Sequence, residues 1–291
     1  MLKRLRTAHP ILYCILSEVL FLGSMVLFSL LATIGLAAAG ADFDTMDGYL
    51  LGSVQEAVGL AVALLLLART GRLDLLHRRG CGFLNGMLVG MYPLFFIGYT
   101  TVGTLAFDRP DTPLLPLPRI LTFMLNMILV GVAEELVFRG VLMRGLKPLG
   151  RNFAIVTSAL MFGLFHDDVV QGLFAFGCGL LFGFVAMEYS LVWSIVLHVF
   201  NNAVLGGVLP WLAGLFGDAG DTAYTLGLLG VSIIGLIVVL VKYGGGLRAY
   251  RRVNRSAPGT YWGWTSPAFL IFVIVNVAIT ILSFVTAMMG V

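Results

Sequence analysis

The sequence predicts an all-α fold: a polytopic transmembrane bundle of about eight or nine helices. Three observations carry this. Of the 291 residues, 59% are apolar and 11% are charged, whereas soluble domains hold about 45–50% apolar and about 25% charged residues. A water-facing surface cannot be built from so few charges, so lipid must serve as solvent for most of it. The apolar residues are gathered into runs of about 20, the length that crosses a bilayer as a helix. The charges between those runs alternate in sign. No polar stretch is long enough to form a second domain, so residues 1–291 read as one membrane domain.

The candidate spans are, in order, 11–39, 48–68, 83–107, 118–143, 152–165, 169–187, 191–212, 222–241 and 267–289. The first and second are interrupted only by Glu18 and Glu56. The fifth is short for a crossing, and reads either as a tilted span or as a helix that stops at mid-membrane. The remaining runs meet the length rule directly.

Basic residues orient the spans. Lys3, Arg4 and Arg6 precede the first. Arg69, Arg72, Arg78 and Arg79 follow the second; Arg144, Lys147 and Arg151 follow the fourth; Lys242, Arg248, Arg251, Arg252 and Arg255 follow the eighth. The alternate loops carry Asp42, Asp44 and Asp47, then Asp108 and Asp111, then Asp167 and Asp168, then Asp218 and Asp221, with Arg109 as the exception. The positive-inside rule places the N-terminus in the cytosol, and counting all nine spans as crossings keeps every basic loop there. The C-terminus then lies outside. A net charge of +3 adds nothing to this beyond its placement.

The basic start, the apolar run and Ala37-Ala38-Ala39 also suit a cleaved signal peptide. That run is too long for a signal core and contains Glu18, so it is read as a retained span. No lipidation motif and no transporter-type internal repeat is visible. Cys14, Cys81 and Cys178 lie in or beside apolar spans without metal-ligand spacing, and read as small buried hydrophobes.

Ionisable groups inside a membrane are costly, and they usually face the protein interior and serve a purpose. Here they concentrate between residues 126 and 202. Glu134-Glu135-Leu136-Val137-Phe138-Arg139 lies late in the fourth span. Glu135 and Arg139 share a face at i,i+4 and can pair, while Glu134 is turned about 100° away. One carboxylate can be structural while its neighbour is free for chemistry, or all three groups can simply tie helices together. His166 ends Phe162-Gly163-Leu164-Phe165-His166, where Phe162 shares its face; alone it would be an ordinary structural histidine. In His198-Val199-Phe200-Asn201-Asn202, His198 and Asn202 share a face and Asn201 is close to it. These groups need polar partners, which lipid cannot supply; interhelical hydrogen bonds would also satisfy them. By helical rise, Glu134 lies about 15 Å from the cytosolic end of its span, His198 about 12 Å and His166 about 20 Å. The depths allow one shared layer. A carboxylate, two imidazoles and an amide are the parts for activating water and holding an oxyanion.

Glu134-Glu135-x-x-x-Arg139, Phe162-x-x-x-His166 and His198-x-x-x-Asn202, in that order on successive helices, resemble the three motifs of the CAAX protease and bacteriocin-processing (CPBP, or ABI) family of intramembrane proteases. The local context Glu-Glu-Leu-Val-Phe-Arg-Gly is similar too. The resemblance covers residues 118–212, the expected catalytic core. It implies hydrolysis of a peptide bond within or beside the membrane, with Glu134, His166, His198 and Asn202 in the active site. Glu135, Arg139 and Phe162 are expected to support it.

The resemblance implies two possible chemistries. Family members have been described as metalloproteases, and Glu134, His166 and His198 could supply three zinc ligands, although no His-Glu-x-x-His helix is present. The prenyl-protein members instead look like glutamate-and-histidine enzymes with no required metal, and that is the expectation here. Glu134 would be the base, His166 would hold the water, and His198 and Asn202 would donate to the oxyanion. Expected partners are membrane lipid and a peptide or protein substrate, lipidated or secreted, with no nucleic acid. The expected location is a bacterial inner membrane. A non-catalytic regulator or immunity protein of the same fold is the alternative. A proton-coupled transporter using Glu18, Glu56 and Glu134 is less favoured, because Glu18 and Glu56 lack clustered partners.

Overall fold

The computed structural model describes residues 2–41, 48–70 and 117–289, and among these residues it is helical with no strand. The ten helices introduced here are numbered in chain order. A short α1 (Leu2–Ala8) leads into α2 (Pro10–Ala38), whose Pro10 sits where a missing N–H costs nothing. Next are α3 (Gly48–Thr70) and α4 (Leu117–Glu135). The latter continues as a π-helical stretch, Leu136–Met143, and a last turn, Arg144–Leu146. Gly150, at φ +120°, turns the chain into α5 (Arg151–Leu164). Asp168 caps α6 (Val169–Glu188) by accepting from Gln171 N–H at 2.6 Å. Ser190 caps α7 (Leu191–Val199) through Trp193 N–H at 3.2 Å. A second π-helical stretch, Phe200–Val208, extends α7 to Gly214. Last come α8 (Gly217–Val238), a third π-helical stretch (Val239–Tyr243), α9 (Gly244–Val253), a 3-10 segment (Pro258–Thr265) and α10 (Pro267–Met289).

Seven of these helical runs are long and apolar enough to cross a membrane, and they coincide with seven of the nine expected spans. The expected span 83–107 lies outside the described residues, as do the acidic loops at 42–47 and 108–111, the basic residues 72–79, and Cys81. The uncertain fifth span is α5, 14 residues long. At about 21 Å it is shorter than the bilayer's hydrocarbon core of about 30 Å.

Burial separates centre from periphery. In α6 half of the apolar window is buried inside the protein, against 11% in α2 and in α10. The exposed faces of the outer helices are Leu30, Leu31 and Ile34 on α2, Ile234 on α8, and Ile274 and Leu282 on α10. Such continuous apolar faces suit lipid and not water. The centre is aromatic: Phe21, Phe138, Phe153, Phe162 and Phe182 are all buried.

The packing order follows from close contacts. Gly52 meets Asn126 and Leu67 meets Gly140, so α3 and α4 run parallel. Tyr13 lies on Gly145, and Phe21 and Met25 lie on Gly59, so α2 is antiparallel to both. Helices α5 and α6 are antiparallel and nearly touch at Gly163 and Gly172. A Cβ on Gly163 would sit 2.8 Å from the Gly172 carbonyl oxygen. Small residues of this kind let membrane helices approach backbone to backbone. That approach fixes the turn just beyond Gly163, which carries His166.

Candidate active site

The four expected site residues arrive from three elements and line one cavity of about 290 Å³. Glu134 comes from the end of α4, His166 from the turn after α5, and His198 and Asn202 from α7 and its π-helical extension. Of the three π-helical stretches among the described residues, Leu136–Met143 and Phe200–Val208 each begin within two residues of an expected site residue, Glu134 or His198, and Val239–Tyr243 lies beyond α8. π-turns inside α-helices occur often at functional sites. Their wider turn changes which side chains share a face, and here it presents both Asn201 and Asn202 to the cavity.

Glu135 anchors the interior of the site. Its side chain is fully buried and pairs with Arg139 at 2.9 Å, as the i,i+4 spacing predicts. It also accepts from His198 Nδ1 at 3.0 Å and from the Ser194 hydroxyl. A buried carboxylate is tolerated when its charge is paired and its lone pairs are filled, and the Arg139 ion pair with the His198 and Ser194 donors does this here. Arg139 is itself held among aromatic faces, with its guanidinium carbon 4.3 Å from the Phe162 ring centre and 5.3 Å from that of Phe182. Cation–π attraction of this kind strengthens where water is absent. Gly179 makes the room: a Cβ there would lie 3.1 Å from Arg139 Nη2 and 3.0 Å from Ala159.

These contacts set the histidine tautomers. A carboxylate oxygen can only accept, so His198 Nδ1 carries the proton shared with Glu135. Its Nε2 then faces Glu134, 3.5 Å from Oε2. The ring is stacked on Phe182 at 4.8 Å and meets Phe162 edge-on at 5.7 Å. A carbonyl likewise only accepts, so His166 Nδ1–H donates to Phe162 O at 2.8 Å, and Nε2 is the ring's acceptor. Phe162 also packs edge-on against His166 at 4.8 Å. It therefore holds one imidazole by its carbonyl and touches both by its ring.

Glu134 differs from its neighbour. It is 7% exposed, and its Oε2 has no hydrogen-bond partner. The 3.5 Å to His198 is longer than an ordinary hydrogen bond. Asn201 is also buried: its Nδ2 donates to Asn202 Oδ1 at 2.9 Å, while its own Oδ1 is unpartnered. That bond occupies the Asn202 acceptor and leaves the Asn202 N–H groups for another partner. Met127, Val130 and Phe174 supply apolar wall, and Gln171 and Gly206 lie at exposed edges.

The residues proposed for zinc do not converge on a point. Among the described residues, no three His, Cys, Asp or Glu side chains are grouped closely enough to hold one metal ion. Each imidazole gives Nδ1–H to an oxygen, His198 to Glu135 and His166 to Phe162, an arrangement that metal-bound histidines share. The mechanism below runs no step through a metal.

Sequence reasoning missed Ser194, Phe182 and Gln171. Ser194 was within reach, because it lies four residues before His198 on the same helical face of an apolar run. Phe182 and Gln171 offer no such signal. Cys14 and Cys178 are buried free thiols, as read. Cys178 does line the cavity.

Comparison with known proteins gives one match and two blanks. Residues 116–204 match the family model described as Type II CAAX prenyl endopeptidase Rce1-like. No curated protein and no solved structure matches the chain. The matched segment contains Glu134, His166, His198 and Asn202. Over residues 116–204, this membrane protein is therefore similar to the Rce1-like CAAX endopeptidases, the kind that its three motifs resemble.

Proposed function

We propose that the chain is an intramembrane endopeptidase that hydrolyses a peptide bond with water activated by Glu134 and His166. One observation carries the reading. Glu134 and His198, 64 positions apart in the sequence, face each other at 3.5 Å across a cavity that also receives His166 and Asn202. The Rce1-like match supports the protease class.

The roles follow from the donors and acceptors. His166 Nε2, an acceptor, holds one proton of the water. The Glu134 carboxylate takes the other proton as the water oxygen bonds to the scissile carbonyl carbon. Negative charge moves to the carbonyl oxygen, which accepts from Asn202 N–H and from His198 Nε2–H. Nδ1–H is already given to Glu135, so this donation uses a second ring proton. On collapse the C–N bond breaks, and Glu134 returns its proton to the leaving amine. The products are a carboxylic acid and an amine, with water consumed.

The substrate class is a membrane-associated peptide or protein, lipidated or secreted, whose scissile segment enters beside the apolar wall at Met127, Val130 and Phe174. The proposed setting is a bacterial inner membrane with the N-terminus in the cytosol and 118–212 as the catalytic core. Comparative peptidomics of cells carrying wild-type or Glu134→Ala protein tests the reading. Peptides whose cleavage requires Glu134 identify the substrate. Identical peptide sets would favour the regulator of the same fold.

A further inference from the structure

The helical run from α8 through α9 covers Gly217–Val253, 37 residues. Its length of about 55 Å far exceeds the hydrocarbon core of about 30 Å. It passes through a π-helical stretch, Val239–Tyr243, and is distorted at Tyr243, where φ is −119°, just before Gly244-Gly245-Gly246. Beyond that point the composition changes from apolar to basic. Leu247, Tyr250 and Asn254 are half-buried, whereas Arg248, Arg251, Arg252, Val253 and Arg255 are exposed. At 100° per residue, Arg248 and Arg252 share the face opposite Tyr250.

The inner face of α9 is fastened to the bundle. Tyr250 OH donates to Glu188 Oε1 at 2.8 Å, and its ring meets Phe184 at 5.0 Å. Arg151 pairs with the same Glu188 oxygen at 2.7 Å. Asn152 Nδ2 donates to Arg251 O at 3.0 Å, and Phe153 N–H donates to Ser256 Oγ at 3.1 Å. These bonds hold the helix in place and turn its arginines outward. No ion pair among the described residues engages Arg248, Arg251, Arg252 or Arg255. Val253 is 83% exposed and the nearby Trp262 is 75% exposed. Fixed arginines interleaved with exposed apolar and indole side chains, at the end of a membrane span, match the chemistry of a headgroup layer: phosphate above, acyl chain below.

We propose that α9 is an in-plane surface helix whose Arg248 and Arg252 bind the phosphates of anionic lipid headgroups, with Val253 and Trp262 seated in the same leaflet. Arginine suits this role because its planar fork pairs with phosphate oxygens in two hydrogen bonds. Through Asn152 and Phe153 the bound lipid is tied to the start of α5, whose other end leads to His166. The proposal does not depend on peptidase activity.

The test uses the full-length protein in neutral detergent, titrated with phosphatidylglycerol or phosphatidylcholine while thermal unfolding is followed. Phosphatidylglycerol should raise the unfolding temperature and phosphatidylcholine should not. The pair Arg248→Gln with Arg252→Gln should weaken the apparent affinity for phosphatidylglycerol about thirtyfold, the sum expected for two arginines at an anionic surface. Arg248→Lys with Arg252→Lys should keep most of the effect, and Arg119→Gln, at the start of α4, should keep all of it. If the double Gln variant does not fold, the single variants decide, each with an expected loss of about fivefold. An undiminished phosphatidylglycerol effect in the Gln variants would overturn the proposal. So would an equal shift from inorganic phosphate alone, which would mark a free-anion site.

Discussion

Glu135 accepts the Nδ1–H of His198 at 3.0 Å, so a glutamate on one helix fixes the tautomer of a histidine on another. The adjacent Glu134 meets the other edge of the same ring at 3.5 Å. Two consecutive carboxylates thus bracket one imidazole, one filled by donors and the other with an unpartnered oxygen. On the proposed mechanism, that asymmetry separates a positioning role for Glu135 from a chemical one for Glu134.

Glu134→Gln should leave a folded protein with little or no activity. The side chain keeps its size, and its Oε2 gives up no hydrogen bond, so the melting temperature should stay close to that of wild type. Loss of the base should lower turnover by about a hundred- to ten-thousandfold. Purified protein assayed on a cleavable peptide, with thermal unfolding in parallel, reads both. A Glu134→Gln enzyme of normal rate would remove this residue from the chemistry.

Glu135→Ala should behave differently. It strands Arg139 in the core without its ion-pair partner and frees the His198 ring. Breaking a buried pair from one side costs about 3–5 kcal/mol, so abundance and melting temperature should both fall along with activity. Ser194→Ala removes one donor to the same carboxylate and should cost about 1.5–3 kcal/mol. If Glu135→Ala protein melts like wild type, its role as an anchor is wrong.

Gly179→Val tests the arginine cage without touching a site residue. Its first added carbon already lies 3.0 Å from the Ala159 backbone and 3.1 Å from Arg139. Overpacking of this kind costs about 1–3 kcal/mol, and the displaced guanidinium should misplace Glu135. The expected result is a lower unfolding temperature with a reduced turnover number. A fully stable, fully active variant would show that the cage has slack.

Exhaustive chelation should leave peptide cleavage intact if Glu134 and His166 activate the water by themselves. Metal analysis of the active preparation accompanies the assay. Stoichiometric zinc, with activity lost on its removal and restored on its return, would refute the metal-free mechanism and move Glu134 or an imidazole to coordination.

Much of this architecture is legible in the sequence because membrane insertion makes crude rules decisive. A largely apolar run of 23 residues such as Pro267–Met289 has few other places to go. The Glu135–Arg139 pair follows from spacing on a single helix. The convergence of His166, His198 and Glu134 rests on the ordered motifs. The cage of Phe162 and Phe182 around Arg139, and the Ser194 bond to Glu135, depend on how separate helices are rotated and how closely they approach. Spacing within one helix carries no information about either. The two π-helical stretches at the site were invisible for a related reason: neither the apolar Leu136–Met143 nor Phe200–Val208, with its two Asn and two Gly, carries a spacing that marks a π-turn.

Those two stretches bear on which insertions and deletions the chain can accept. A π-turn accommodates an extra residue that a regular α-helix of the same span would lack. Deleting one residue between Leu136 and Met143 would let the coil close with ordinary α-helical bonds. With the far end held where Tyr13 packs on Gly145 and the near end held by Glu135, a deletion before Arg139 would bring that arginine to i,i+3 of its carboxylate partner. Helicity would rise slightly while the Glu135–Arg139 pair lost its spacing. In directed evolution or deep mutational scanning, single-residue deletions in 136–143 and 200–208 should therefore abolish function more sharply than substitutions at the same positions.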